Sequence, residues 1–185
     1  LEEFKNAIKK DKKNLKYIID NVRDFEQKFK TENDLKSRDS KLERLLDIIT
    51  KKQKTGNKKV VIFSAYKDTV EYLFNQLKIR GFENFAMVTG DENRIWNEPH
   101  SSKKHENVLE RFAPYTKLFR EKNWTNFELS NNNLNPKSSF LEWKKFISQD
   151  HSATLAKLEN PIDILIATDV LSEGQNLQDA DMVIN

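Results

Sequence analysis

Pro161-Ile162-Asp163-Ile164-Leu165-Ile166-Ala167-Thr168-Asp169-Val170-Leu171-Ser172-Glu173-Gly174-Gln175-Asn176-Leu177 is the stretch whose reading decides the fold. From Ile162 to Ala167 it is apolar except for one acid. A short continuous apolar run of this kind in an α/β chain reads as a strand buried on both faces. The sequence then turns polar through Thr168, Asp169, Ser172, Glu173, Gly174, Gln175 and Asn176. A polar cluster at the carboxyl end of a buried strand lies where open parallel sheets bind their ligands. A purely structural reading stands beside that one. Ser172-x-x-Gln175 has the form of a capping box. Asp169 and Glu173 favour a helix N-terminus electrostatically, and Gly174 permits a tight turn.

Outward from this stretch, more strands of the same kind appear. Lys58-Lys59-Val60-Val61-Ile62-Phe63-Ser64 is rich in β-branched residues and reads as a buried strand. Lys67 then opens an amphipathic helix with Val70, Leu73, Phe74 and Leu77 on one face, ending near Gly81. Phe85-Ala86-Met87-Val88-Thr89 is a third apolar run, closing at Gly90, and Met182-Val183-Ile184-Asn185 is a fourth. Strand, helix and strand with short connections form a βαβ unit and hence a parallel sheet. Ser64 and Thr89-Gly90 then stand at strand ends, as Thr168 does. Taken singly, each is a turn residue or a local side-chain cap. Together they suggest a phosphate-contacting edge, because hydroxyls and backbone N–H groups hold nucleic-acid phosphates without reading sequence.

The remaining segments read as helix and loop. Residues 1 to about 33 carry Leu15, Ile18, Val22, Phe25 and Phe29 at helical spacing. Such a stripe needs a partner surface, in this chain or another. The Lys9-Lys10-Asp11-Lys12-Lys13 run reads as a solvated face. Thr31 to Asp39 is polar. A second helix is expected from Ser40, through the capping-box string Ser40-x-x-Glu43, with Leu42, Leu45, Leu46 and Ile49 apolar and Gly56 as a stop. Residues 91–160 separate two strands by more chain than a connection needs, so part of the segment must be folded. Lys103 to Phe112 reads as a helix that Pro114 ends or bends. Asn131-Asn132-Asn133 and Pro136 mark a loop. Ser139 is expected to cap a helix with Phe140, Leu141, Trp143, Phe146 and Ile147 facing inward. Helical spacing makes these aromatics core residues rather than a base-stacking platform. His100, His105 and His151 have no matching ligand set, so no metal site is expected.

Composition narrows the functional classes. The chain has 185 residues, 37% hydrophobic and 33% charged, with a net charge of +3 from 32 basic and 29 acidic side chains. That balance excludes a strongly basic nucleic-acid protein and leaves phosphate contacts to local patches. With no Cys, disulfides and thiolate zinc sites are excluded, in keeping with a reducing, cytoplasmic setting. No apolar run reaches membrane-spanning length, so no membrane partner is expected. The chain has no starting Met and stops inside an apolar run, as a piece of a longer protein would. Its wealth of Asn and Lys suggests a low-GC bacterial source.

Ala167-Thr168-Asp169, Ser172-Glu173-Gly174 and Asn176-Leu177, followed by Asp179-Ala180-Asp181-Met182-Val183-Ile184-Asn185, resemble motif V of superfamily 2 helicases and translocases. The flavour is that of Swi/Snf-type translocases and their bacterial helicase relatives. The DEAD-box version usually carries Arg where Glu173 stands and Asp where Asn176 stands. Val61-Ile62-Phe63-Ser64 resembles motif IV, and Val88-Thr89-Gly90 resembles the Gly-containing turn after the next strand. Asp39-Ser40-Lys41-Leu42 and Glu110-Arg111-Phe112-Ala113-Pro114 agree with the same group.

The resemblance implies an α/β fold: a partial RecA-like second lobe over 39–185, with a mostly parallel sheet flanked by helices. A helical N-terminal extension would span 1–38 and a helical insertion 91–160. It implies that Gly174, Asn176 and Glu173 face ATP and that Asp169 couples the two lobes. Ser64, Thr89, Gly90 and Thr168 would touch nucleic acid, with DNA favoured over RNA. ATP and Mg²⁺ would be bound in the complete protein, the metal on a first lobe of the same chain. The Gly-rich loop with its Lys, the Walker-B acids and the paired arginines of motif VI are absent from these residues. The chain by itself is therefore expected to be inactive. The alternative is a non-catalytic α/β scaffold or protein-interaction module derived from a motor lobe.

Overall fold

The computed structural model describes residues 2–32, 39–99, 105–129, 135–171 and 175–185, without the side chains of 25–32. Ser172, Glu173, Gly174, Lys103, His100 and Asn131 to Asn133 lie outside the described residues, as do the side chains of Phe25 and Phe29. The chain divides into two compact units, Leu1–Arg44 and Leu45–Asn185.

The first unit contains α1 (Glu2–Glu32) and the start of α2 (Ser40–Lys52). Along α1, Phe4, Ile8, Leu15, Ile18 and Val22 are exposed. The capping of α2 differs from the sequence expectation. Asp39, not Ser40, is the cap: its Oδ1 accepts from the Leu42 N–H at 2.9 Å. Ser40 is already the first helical residue. A carboxylate satisfies a free amide of the first turn and favours the positive helix end at the same time.

The second unit is built on a five-stranded sheet in the order β3-β2-β4-β1-β5. The strands are β1 (Val60–Phe63), β2 (Phe85–Val88), β3 (Asn93–Ile95), β4 (Ile164–Ala167) and β5 (Met182–Ile184). β4 lies parallel between β1 and β2, and β5 pairs parallel with the other side of β1. β3 pairs antiparallel with β2, so the sheet is mixed but mostly parallel. Sequence reading expects four strands and misses β3. Asn93-Arg94-Ile95 is a three-residue strand with one large apolar side chain, too short to show a period.

Both faces of the central strands are covered, which is why their sequences are continuously apolar. Val61, Ala86, Val88, Leu165 and Ala167 pack with Val108, Leu109 and Phe112 of α4 (His105–Phe112). The alternate residues, among them Val60, Phe85, Met87, Ile164 and Ile166, turn to the opposite face and are buried as well. There Phe85 meets Phe74 of α3 (Lys67–Ile79) edge-on, with ring centroids 5.0 Å apart. The inward residues of α3 are Val70, Leu73, Phe74 and Leu77, as its spacing predicts. Its end is a Schellman arrangement. The Phe82 N–H donates to Leu77 O at 3.0 Å and the Gly81 N–H to Lys78 O at 3.1 Å. Gly81 takes φ +72° there, a conformation only glycine adopts freely.

Residues 91–160 divide in two. β3 and α4 belong to the sheet and its covering layer. After Pro114 come a π-helix (Tyr115–Arg120), α5 (Pro136–Asp150) and α6 (Ser152–Glu159). These enclose a separate aromatic core in which Leu118, Trp143 and Ile147 are buried among Phe119, Trp124, Phe127, Phe140 and Phe146. Leu141, expected to face inward, is 58% exposed. Ser139 is not the cap of α5. Asn135 caps it, accepting from the Lys137 N–H at 3.0 Å with Pro136 in the first turn, and Ser139 Oγ donates back to Asn135 O at 3.2 Å. Glu110 of α4 is 2% exposed and is paired with Lys122 and with Lys157 of α6. Among the described residues, no helix is long and apolar enough to cross a membrane.

Candidate functional site at the carboxyl edge of the sheet

Phe63 of β1 and Val88 of β2 both register with Ala167 of β4. Three neighbouring parallel strands therefore end level with one another. Ser64, Thr168 and Thr89 leave the sheet side by side, at the inter-strand spacing of about 4.8 Å. Backbone bonds hold this line together. The Ser64 N–H donates to Ala167 O at 3.0 Å, and the Thr168 N–H donates to Val88 O at 3.1 Å. The edge exists because each run is apolar until its last residue and changes chemistry at the same level.

Ser64 is half-buried, and its Oγ accepts from the Tyr66 N–H at 3.3 Å. Thr168 is half-buried, and its carbonyl receives the Leu171 N–H at 3.2 Å, which closes the 3-10 turn Asp169–Leu171. Asp169 and Asn176 are exposed, and Gln175 to Leu177 has no regular structure. Gly90 is also exposed. A Cβ placed there meets only Val170 Cγ2, at an ordinary 3.7 Å. Thr89 differs from the others. It is 1% exposed, and its hydroxyl donates to Glu92 O at 3.1 Å and accepts from the Glu92 N–H at 3.2 Å. That hydroxyl is engaged in closing the β2–β3 turn. Glu173 and Gly174, with Ser172, fall outside the described residues.

Sequence reading missed two side chains at this edge, Tyr66 and Lys67, which follow β1 directly. Lys67 Nζ lies 3.1 Å from Asp91 Oδ2 and 3.7 Å from Glu71 Oε1. The hydrogen bond to Asp91 holds its ammonium above the usual lysine range. Beside it the Arg94 guanidinium, bonded to Glu92, holds that carboxyl below the usual range. Among the described residues the edge thus carries mixed charge, with hydroxyl, amide and backbone donors and no dense basic patch.

Among the described residues, two of the shallow concavities lie elsewhere. One runs along the α1 surface between Ile8 and Arg23. The other is at the amino edge of the sheet, bordered by Asn57, Lys59, Tyr115, Asp163 and Asp179. The second is a structural clamp. Lys59 Nζ donates to Ile162 O at 2.9 Å, sits 4.0 Å from Asp163 Oδ1 and lies 5.2 Å from the Phe112 ring centroid. Burial holds this ammonium below the usual lysine range, opposed by Asp163 and Asp179. Asp179 caps the π-helix, accepting from the Tyr115 N–H at 2.9 Å, the Thr116 N–H at 3.0 Å and Thr116 Oγ1 at 2.6 Å. Its own carbonyl accepts from Asn57 Nδ2 at 2.9 Å. No group of three or more metal-ligating side chains comes together among the described residues.

No protein-family model, curated protein or solved structure matches this chain.

Because the space beside Gly90 is open, Gly90→Ala is expected to change stability by less than about 0.5 kcal/mol, as at other unencumbered surface positions. Urea unfolding of this variant checks the openness of the edge. A loss several times larger would mean that the turn is closed in solution.

Proposed function

We propose that the chain is part of the second, RecA-like lobe of an ATP-dependent nucleic-acid translocase or helicase, with duplex DNA as the favoured track. The observation that carries this reading is the level carboxyl edge. Ser64, Gly90, Thr168 and Asp169 leave three adjacent parallel strands together. The sequence Ser172-Glu173-Gly174-Gln175-Asn176 follows the middle one. Open parallel sheets present ligands at this edge, and hydroxyl, amide and backbone N–H groups suit phosphates.

In this reading Ser64, Thr168 and the backbone at Gly90 track the nucleic-acid backbone, with Thr89 holding the turn. Gly174, Asn176 and Glu173 approach ATP, and Asp169 links this lobe to the first. Mg²⁺ would be carried by the first lobe. ATP-driven closing and reopening of the cleft between lobes would supply the stepping motion. A cleft of this sort takes its second wall from the first lobe.

The test is DNA-stimulated ATP hydrolysis by a protein carrying this chain together with a first lobe, compared with its Gly174→Asp variant. The substitution places a carboxylate where the nucleotide approaches. Turnover should collapse in a variant that still folds. The 185-residue chain alone should be silent, because a missing arginine finger by itself costs about 10³–10⁵ in rate. Unchanged turnover in the variant, or turnover by the chain alone, would overturn the reading. The scaffold alternative would then take its place, supported by the exposed apolar residues of α1.

A further inference from the structure

Tyr66 occupies the N-cap position of α3, with β-region backbone at φ −110° and ψ 128°. Its carbonyl accepts the first helical bond, from the Val70 N–H at 3.2 Å. Serine, threonine, aspartate and asparagine are strongly preferred at this position, because their side-chain oxygen satisfies a free amide of the first turn. Tyr66 cannot do this, and the cap makes no side-chain hydrogen bond. Nor does the ring strengthen the core, since the residue is 74% exposed. Helix capping and core packing thus both leave the choice of residue unexplained. Departures from local rules of this kind are expected at functional positions.

The position of Tyr66 supplies a reason. It lies two residues beyond Ser64, whose Oγ accepts its N–H, and immediately before Lys67. A strand of nucleic acid whose phosphates met Ser64 and the Gly90 turn would pass this ring. An exposed aromatic face beside a backbone track is how proteins hold unstacked bases without reading their sequence, since every base has a π-face.

We propose that Tyr66 is a stacking platform for one unpaired base, so that the carboxyl edge holds a base released from the tracked duplex as well as phosphates. The inference rests on the nucleic-acid reading above and adds to it a base contact wherever the tracked duplex presents an unpaired base. The aromatics of α5 do not compete for this role, because they are enclosed in their own core.

The experiment compares binding of the 185-residue chain to a single-stranded thymidine oligomer and to an abasic oligomer of equal length. The abasic strand keeps the phosphates and removes the bases. The natural chain should prefer the thymidine strand by about tenfold, within the range that stacking on one aromatic contributes. Tyr66→Ser should abolish that preference and bring both strands to the same affinity, while raising the thermal midpoint because serine caps α3. Tyr66→Phe should retain the preference. Lys67→Ala should weaken both strands alike and flatten the salt dependence, as expected for a charge near phosphates.

Equal affinity of the natural chain for both strands, or a preference that survives Tyr66→Ser, overturns the stacking role and leaves the nucleic-acid reading standing. Failure of the natural chain to bind these strands or a duplex of equal length at low salt overturns both, and binding to the duplex alone overturns the stacking role. The rise in thermal midpoint keeps the Tyr66→Ser result separate from any failure to fold.

Discussion

Trp143→Ala is expected to lose about 3–5 kcal/mol of unfolding free energy, the range for removing a large buried aromatic. Trp143 is fully buried at the centre of the second core. It stacks on Phe140 with centroids 5.3 Å apart and planes 17° apart, and it meets Trp124 edge-on at 5.4 Å and Phe119 at 5.7 Å. Alanine leaves a cavity that these rings close only in part. Trp143→Phe is expected to cost far less, about 1 kcal/mol. The Trp143 Nε1 is buried with no partner among the described residues. An unsatisfied buried donor costs about 1–3 kcal/mol, and phenylalanine removes it while keeping most of the ring contact. Urea titration followed by far-UV circular dichroism gives both values. Equal losses in the two variants would mean that the indole N–H is bonded and the second core is packed differently.

The double substitution Lys122→Met, Lys157→Met should be nearly as damaging at neutral pH, and its damage should depend on pH. Burial of Glu110 pushes its carboxyl toward a higher pKa, but hydrogen bonds from Lys122 and Lys157 outweigh this and hold it below 4.5. A depressed carboxyl stabilises the fold above its unfolded pKa, and the contribution is lost as pH falls through the folded value. In the natural chain this contribution is therefore complete at neutral pH and fades below pH 4.5. Removing both ammonium groups leaves an uncompensated buried charge, which costs about 3–5 kcal/mol. The lower end applies here, because the two lysine side chains are 40% and 31% exposed and water screens part of each pair. The sign of the pKa shift then reverses, since burial alone acts on Glu110. The variant should regain ground on the natural chain as acid protonates the carboxyl. Unfolding measured at several pH values between neutral and about 4 decides the matter. A loss that stayed constant with pH would show that Glu110 is solvated.

The elements legible in the sequence were those whose burial imposes a pattern. β1, β2 and β4 are apolar throughout because both faces are covered, and α3 shows its inward stripe and its glycine stop. β3 is hidden because Ile95 is its only large apolar residue. Sequence spacing points to a serine as the cap of both α2 and α5, whereas Asp39 and Asn135, lying outside the helices, provide the caps. Capping strings identify a helix start more reliably than the residue that performs the cap.

Ser64, Thr168 and Gly90 were readable as edge residues from the places where apolar runs stop. Thr89 carries the same signal but turns its hydroxyl into its own turn, a difference that depends on Glu92 and not on the strand pattern. The Asp179 cap and the Glu110 pairs were not legible. They join residues far apart in sequence, such as Thr116 with Asp179 and Glu110 with Lys157, and a single sequence shows no periodicity linking them.

Asp179 also sets the limits within which the chain can be shortened. α4 covers one face of the sheet, and Arg111 is bonded into the approach to β4: its carbonyl accepts from the Ile162 N–H at 3.2 Å, and its Nε donates to Asn160 O at 2.7 Å. Excising 91–160 as a block would strip that face bare. A cut after Ala113 would spare α4 but leave the Asp179 carboxylate without the amides it caps and Glu110 without Lys122 and Lys157. The aromatic core after Pro114 is thus tied to the sheet and its covering helix in part through two acidic residues, Asp179 and Glu110. A trimmed descendant of this chain would have to replace both before it could do without that core.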